Sequence, residues 1–276
     1  NYDRAAEFLP QLFKEMGIEA EQDVFVIPGN HDVTNSIPEE IDRKIIIQAV
    51  KNKPELLHGQ VEKLVSCYDS YIKFVKSISI YEDNCNKLPV QVHVRTWRDK
   101  LHILHLNTAL VSEGGEQEEQ LTDVDTATSD GIRNKLEIGG LPCIALGHHS
   151  FFDLADGQQE MLSGMFQQEN ISAYLCGDRH QRNKTREENF IPLSFGISSI
   201  LIPQIVSYRT SADEKDQYSD FGMIWHNWDE KTGHVELEFM KWDVKNQGEL
   251  QPDGKASYDF RGDLCKIQVP AAASAE

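Results

Sequence analysis

Three polar blocks close three apolar runs, and their side chains have the chemistry to bind a metal and move a proton. Gly29-Asn30-His31-Asp32 ends the run Val24-Phe25-Val26-Ile27-Pro28, His148-His149 follows Cys143-Ile144-Ala145-Leu146, and Asp178-Arg179-His180 follows Ala173-Tyr174-Leu175-Cys176. Asn30 offers a carbonyl oxygen to a hard or borderline cation. His31 can take or give a proton near neutral pH. Asp32 can hold that imidazole in one tautomer. Carbonyl, carboxylate and imidazole donors suit manganese, iron and zinc rather than metals that prefer thiolates. The plainer reading of the first block is an ordinary turn, because Asn and Asp favour turns by themselves. A basic stretch, Arg179, Arg182, Lys184 and Arg186, follows the last block. It could hold a phosphate or a nucleotide backbone. Alternatively it is a solvated loop paired with Glu187 and Glu188, and such pairs contribute little.

In this order the blocks resemble the calcineurin-like metallophosphoesterases. Those chains carry Asp-x-His, Gly-Asp-x-x-Asp/Asn, Gly-Asn-His-Asp/Glu, a histidine turn and Gly-His-x-His. The last three of the five blocks are present and the first two are not. The likeness runs through most of residues 1 to 243 and is motif-specific at about ten positions. It implies an α/β fold, a four-layer α/β sandwich of two mixed sheets flanked by helices. It also implies two divalent metal ions, manganese first, with iron, magnesium or zinc as alternatives. By the same likeness Asn30 and His148 would bind one metal and His180 the other. His31 would act on the leaving-group oxygen, with Asp32 behind it. His149 would either support the ligands from behind or face the substrate, and the basic stretch suggests Arg179 and Arg182 as further substrate-binding residues. Asp178 stands where the family has histidine. As a ligand it would favour Mn²⁺ or Mg²⁺ over Zn²⁺; the alternative is that it has withdrawn from the metal. The family's missing blocks supply the bridging carboxylate and an Asp-x-His pair. They are expected before Asn1, which makes this chain a piece of a larger parent chain, truncated at its N-terminus.

The elements that must position these blocks are legible as alternating helices and strands. Ala5, Phe8, Leu9, Leu12, Phe13 and Met16 recur at helical spacing over residues 2–17, with Gly17 as a C-terminal cap. A strand over 23–27 is predicted to deliver Asn30. Residues 38–80 read as a helical insertion, with Ile41, Ile45, Ile46 and Val50 on one face, then Leu64, Tyr68, Tyr71, Ile72 and Phe74 after a break at Pro54. It either overhangs the site or forms a plain outer layer. Strands are predicted at 90–97, 101–109, 142–147 and 172–176, two more within 191–210, and a helix at 158–167. Met223-Ile224-Trp225 and the alternating Val235, Leu237 and Phe239 flank a turn at Asp229–Gly233, a hairpin pattern. The metallophosphoesterase domain is placed at 1–243, and 244–276 reads as a polar extension or linker.

Bulk properties narrow the function classes. A formal charge of −18 argues against a protein that coats nucleic acid or anionic membranes. It leaves room for a nuclease whose metals face the phosphate. Five scattered cysteines make no disulfide framework. A reducing, cytoplasmic setting is expected. No apolar run is long enough to span a bilayer, and no signal peptide is visible. The expected partner is a phosphoester, with a nucleotide or nucleic acid as the polyanionic case, and no membrane. The activity implied by the resemblance is phosphoester hydrolysis of phosphodiesterase or nuclease type, through a dinuclear centre and a metal-bound hydroxide. The rival is a degenerate, non-catalytic domain that binds a partner or nucleotide, for which Asp178 and the missing blocks speak.

Overall fold

The computed structural model describes residues 2–33, 40–81, 88–112, 132–134, 136, 140–169, 171–177, 190–192, 198–203, 222–243, 249–252 and 266–268. Asp178, Arg179, His180 and Arg182 lie outside these residues, as does the acidic stretch 113–131.

Helix α1 (Tyr2–Met16) ends as its sequence predicts. Gly17 takes a φ of +67°. The amide of Ile18 reaches back to the Phe13 carbonyl at 2.8 Å and that of Gly17 to Lys14 at 3.2 Å, a Schellman closure. Helix α2 (Ala20–Asp23) follows. The strand predicted over 23–27 is not found among the described residues: Asp23 ends α2, and Val24–Ile27 pairs with no described strand. Two of its carbonyls, those of Val24 and Val26, are bonded to side chains. Arg95 donates to the Val24 carbonyl at 2.8 Å and to that of Glu21, and His105 Nδ1 meets the Val26 carbonyl at 3.1 Å. The Arg95 guanidinium also lies over the Phe25 and Tyr81 rings, 4.6 and 4.8 Å from their centroids.

The predicted helical stretch resolves into α3 (Glu40–Asn52), two short 3-10 turns, α4 (Val61–Ser66) and α5 (Asp69–Ser77). Pro54 opens the first short turn, so the break falls where its ring forbids a continuing helix. Of the face expected for α3, Val50 is buried and Ile46 packs against the core, whereas Ile45 is 62% exposed and Arg43 and Ile47 are buried as well. A run of three isoleucines satisfies more than one helical phase, and the packing partners decide between them. Ile47, Val50, Leu64, Tyr68, Tyr71 and Ile72 join one apolar cluster, against which Tyr2, Val24 and Val26 pack.

A six-stranded sheet carries the site. Its order is β1-β2-β3-β4-β6-β5, with β1 (His93–Trp97), β2 (Leu101–Leu106), β3 (Cys143–Gly147), β4 (Ile171–Cys176), β5 (Phe190–Pro192) and β6 (Ser198–Pro203). The four central strands β2, β3, β4 and β6 are parallel and the two edges antiparallel. Helix α6 (Asp156–Gln168) links β3 to β4, as a parallel crossover requires. Leu162, Met165 and Phe166 of α6 pack with Leu104, Ala145 and Tyr174 of the sheet in a second apolar cluster. A smaller antiparallel sheet joins β7 (Gly222–Asp229), β8 (His234–Asp243), β9 (Glu249–Pro252) and β10 (Lys266–Gln268). The smaller sheet was expected to be mixed, and its described pairs are all antiparallel. The stretch beyond Asp243, read as a polar extension, contributes β9 and β10 to it.

Candidate metal centre

Parallel strands in register end together, and here they end in polar residues. Leu106 pairs with Gly147, Gly147 with Cys176, and Cys176 with Pro203, so one line across the sheet marks the rim. Asn107-Thr108 follows β2, His148-His149 follows β3 and Gly177 follows β4. The crevice beyond the carboxyl ends of parallel strands is where such sheets hold ligands.

The turn that carries Asn30 approaches this rim. The His148 ring stands against Gly29, where an added Cβ would come within 3.0 Å of its Cε1. His148 Nε2 and Asn30 Oδ1 are 3.1 Å apart, a hydrogen bond in the tautomer that carries its proton on Nε2 and two converging lone-pair donors in the other. Gly177 N–H donates to the His148 carbonyl at 2.9 Å, which seats the end of β4 against the same residue. The structure thus brings together Gly29-Asn30, His148 and the residue that precedes Asp178. Asp178, Arg179, His180 and Arg182 themselves fall outside the described residues.

The separation of the two donors bears on a metal. Two ligands about 2.1 Å from one ion, about 90–110° apart, stand about 3.0–3.4 Å from each other. The Asn30–His148 distance of 3.1 Å falls in that range. Imidazole nitrogen and amide oxygen fit manganese, iron or zinc. Among the described residues no three His, Cys, Asp or Glu side chains gather. A complete set of ligands therefore needs donors beyond them.

His31 is exposed at the edge of the turn. Asp32 grips the turn itself: its Oδ2 accepts the Gly29 N–H at 2.7 Å, and its Oδ1 accepts the Tyr2 hydroxyl. Burial pushes the Tyr2 hydroxyl well above its usual range, and its bond to Asp32 and that charge add to the shift. The Tyr2 ring stacks on Phe74 of α5 at 4.8 Å, so α1 and α5 brace the turn from behind.

The histidine turn has its own supports. Thr108 Oγ1 accepts the backbone N–H of His148 at 3.0 Å and of His149 at 2.9 Å. The Tyr174 hydroxyl donates to the His149 carbonyl at 2.7 Å. Gly147 makes that bond possible, because a Cβ there would stand 1.9 Å from the Tyr174 oxygen. His149 is buried, with its ring 4.8 Å from that of His148 and nearly perpendicular to it.

Sequence reasoning missed Tyr2, Thr108, Gly147 and Tyr174. One signal was available for Thr108. Asn107-Thr108 closes the apolar run Leu101–Leu106 just as the other polar blocks close theirs. Of the other histidines, His93, His102 and His105 are buried in β1 and β2, and His93 stacks on His105 at 4.3 Å.

No family model matches the chain. An uncharacterized metallophosphoesterase-like protein of Bacillus subtilis (strain 168), YydB, is 25% identical over 271 residues, which cover 91% of this chain and 52% of that protein. The chain thus spans about half the length of the curated relative it matches.

Proposed function

We propose that this chain belongs to a metallophosphoesterase domain and helps to build a dinuclear centre that hydrolyses phosphoesters. The observation that carries the reading is the meeting of Asn30 and His148 at 3.1 Å on the rim of the parallel strands. The name of the Bacillus relative supports it independently. The four-layer arrangement belongs to the same proposal.

Two bound metals would lower the pKa of a water and offset the charge of the phosphate. The protein's own residues have separate tasks. Asn30 and His148 would hold one metal and His180 the other, with Asp178 as a further oxygen ligand. His31, exposed beside Asn30, donates a proton toward the leaving-group oxygen. Asp32 and Tyr2 keep in shape the turn that carries Asn30 and His31. Arg179 and Arg182 give an otherwise acidic protein a local attraction for polyanions, which favours a nucleotide or nucleic-acid phosphodiester.

The test is metal content and hydrolysis of an aryl phosphodiester by the full-length protein with and without Mn²⁺. Bound metal with Mn²⁺-dependent hydrolysis is the expected result. A folded protein that takes up no metal and hydrolyses nothing would leave the degenerate binding domain as the better reading.

A further inference from the structure

The segment that delivers Asn30 is held by side-chain donors of β1 and β2. Val24 has extended dihedrals, φ −106° and ψ 125°. Its carbonyl accepts a bond from Arg95 Nη1 at 2.8 Å, and Arg95 Nη2 donates to the carbonyl of Glu21 in α2. The Val26 carbonyl accepts from His105 Nδ1 at 3.1 Å. The spacing of the anchors matches that of the carbonyls. Val24 and Val26 are two residues apart. Arg95 stands two residues along β1 from His93, the register partner of His105 on β2. Residues two apart on a strand share a face and lie about 6–7 Å from each other.

The two anchors belong to one packed cluster. The Arg95 guanidinium lies over the rings of Phe25 and Tyr81. The Tyr81 hydroxyl meets His93 Nε2 at 3.0 Å, and the His93 ring stacks on that of His105. Only Ile27, Pro28 and Gly29 separate Val26 from Asn30. The Pro28 ring fixes its own φ, and Gly29 stands against the His148 ring. A shift of Val24–Val26 therefore has little slack in which to die out before it reaches Asn30.

We propose that Arg95 is a positioning residue for the candidate metal centre: its fork of donors holds Glu21 and Val24, and through them keeps Asn30 Oδ1 at a distance from His148 that one ion can bridge. Ligands have to be held within about 0.5 Å of their working geometry. Loss of a support behind a ligand lowers metal affinity about ten- to a hundredfold. The effect on metal rests on the hydrolase reading, whereas the hold on the segment does not.

The test uses the full-length protein and two readouts. The first, on chelator-treated protein, is the rate of chymotryptic cleavage after Phe25, relative to cleavage after the buried Tyr174, which reports global opening. The second is Mn²⁺ affinity, read from the paramagnetic resonance of the unbound ion. Arg95→Met keeps an unbranched stem and removes every donor. It should raise the relative cleavage after Phe25 at least tenfold and weaken Mn²⁺ binding at least tenfold. Arg95→Lys, with one ammonium in place of the fork, should fall between Arg95→Met and wild type in both. Leu64→Ala, in the core of α4 away from this segment, should lower the urea midpoint and leave Mn²⁺ affinity unchanged. Unchanged cleavage in Arg95→Met would overturn the proposal, as would wild-type Mn²⁺ affinity in that variant or an equal loss of affinity in Leu64→Ala. If Arg95→Met does not fold, Arg95→Lys decides by the same two readouts. A wild-type protein that binds no Mn²⁺ would sink the hydrolase reading, and the cleavage rates would then decide alone whether Arg95 holds the segment.

Discussion

Asn30 and His148 meet atom to atom although 118 positions separate them in the chain. Each therefore has a distinct mutational signature from the exposed His31, which follows Asn30 in the chain. Asn30→Ala and His148→Ala should lower metal occupancy, read by elemental analysis of protein dialysed against Mn²⁺. His31→Ala should keep its metal and lose about two to four decades of rate, the range for a positioned acid. If His31→Ala instead sheds metal while staying folded, His31 belongs among the ligands. Gly147 is constrained more tightly than any polar residue of the site. Gly147→Ala sets a methyl 1.9 Å from the Tyr174 oxygen and 2.5 Å from its Cζ. Overpacking of this kind costs about 1–3 kcal/mol, and more where backbone must move. Tyr174→Phe should not rescue it, because the ring carbon remains too close; a double-mutant cycle in urea checks this.

At the scale of elements, two helices and two strands hold the Asn30 turn, and each can be loosened separately. Tyr2→Phe removes the bond from α1 to Asp32 and should lower stability by about 1–2 kcal/mol, with a weaker hold on metal if the turn relaxes; denaturation and metal titration of the variant read both. Below the turn, burial holds His105 well under its ordinary value of 6.5, with repulsion from His93 and Arg95 adding to it. Burial lowers His102 as well. The unfolded chain takes up these protons as pH falls below about 6.5 and the folded chain resists them, so stability declines by up to about 1.4 kcal/mol per pH unit per histidine. Urea midpoints at about pH 7.5 and about pH 5.5 should show this loss, and His105→Phe should reduce it. The sequence revealed these elements unevenly. The parallel strands were legible because each is a short apolar run closed by polar residues, and α1 because its period and Gly17 agree. Val24–Ile27 reads as a strand for the same reason, yet its carbonyls bond Arg95 and His105, which no local pattern announces. The Ile45-Ile46-Ile47 run hides the phase of α3 until its partners are known. The candidate site was legible as donor types in order. The supports of that site were not, because Thr108, Tyr174 and Tyr2 act through single hydroxyls brought in by tertiary packing.

For the whole molecule, charge and length set the terms. A chain of net charge −18 repels polyanions over most of its surface. The proposal for Arg179 and Arg182 therefore predicts that replacing both by alanine raises KM for an oligonucleotide substrate, with a loss that shrinks as salt rises. A small aryl ester should change little, and equal effects on both substrates would assign these cations to the solvated surface. No described helix is long and apolar enough to cross a membrane. Because the chain matches about half the length of its Bacillus relative, activity belongs to measurements on the full-length protein. The most direct of these compares wild type with His148→Ala, each dialysed against Mn²⁺, for bound metal and for hydrolysis of an aryl phosphodiester. The account predicts metal and turnover in the wild type, and loss of both in a variant that keeps its fold. Equal metal content and equal turnover in the two proteins would contradict it.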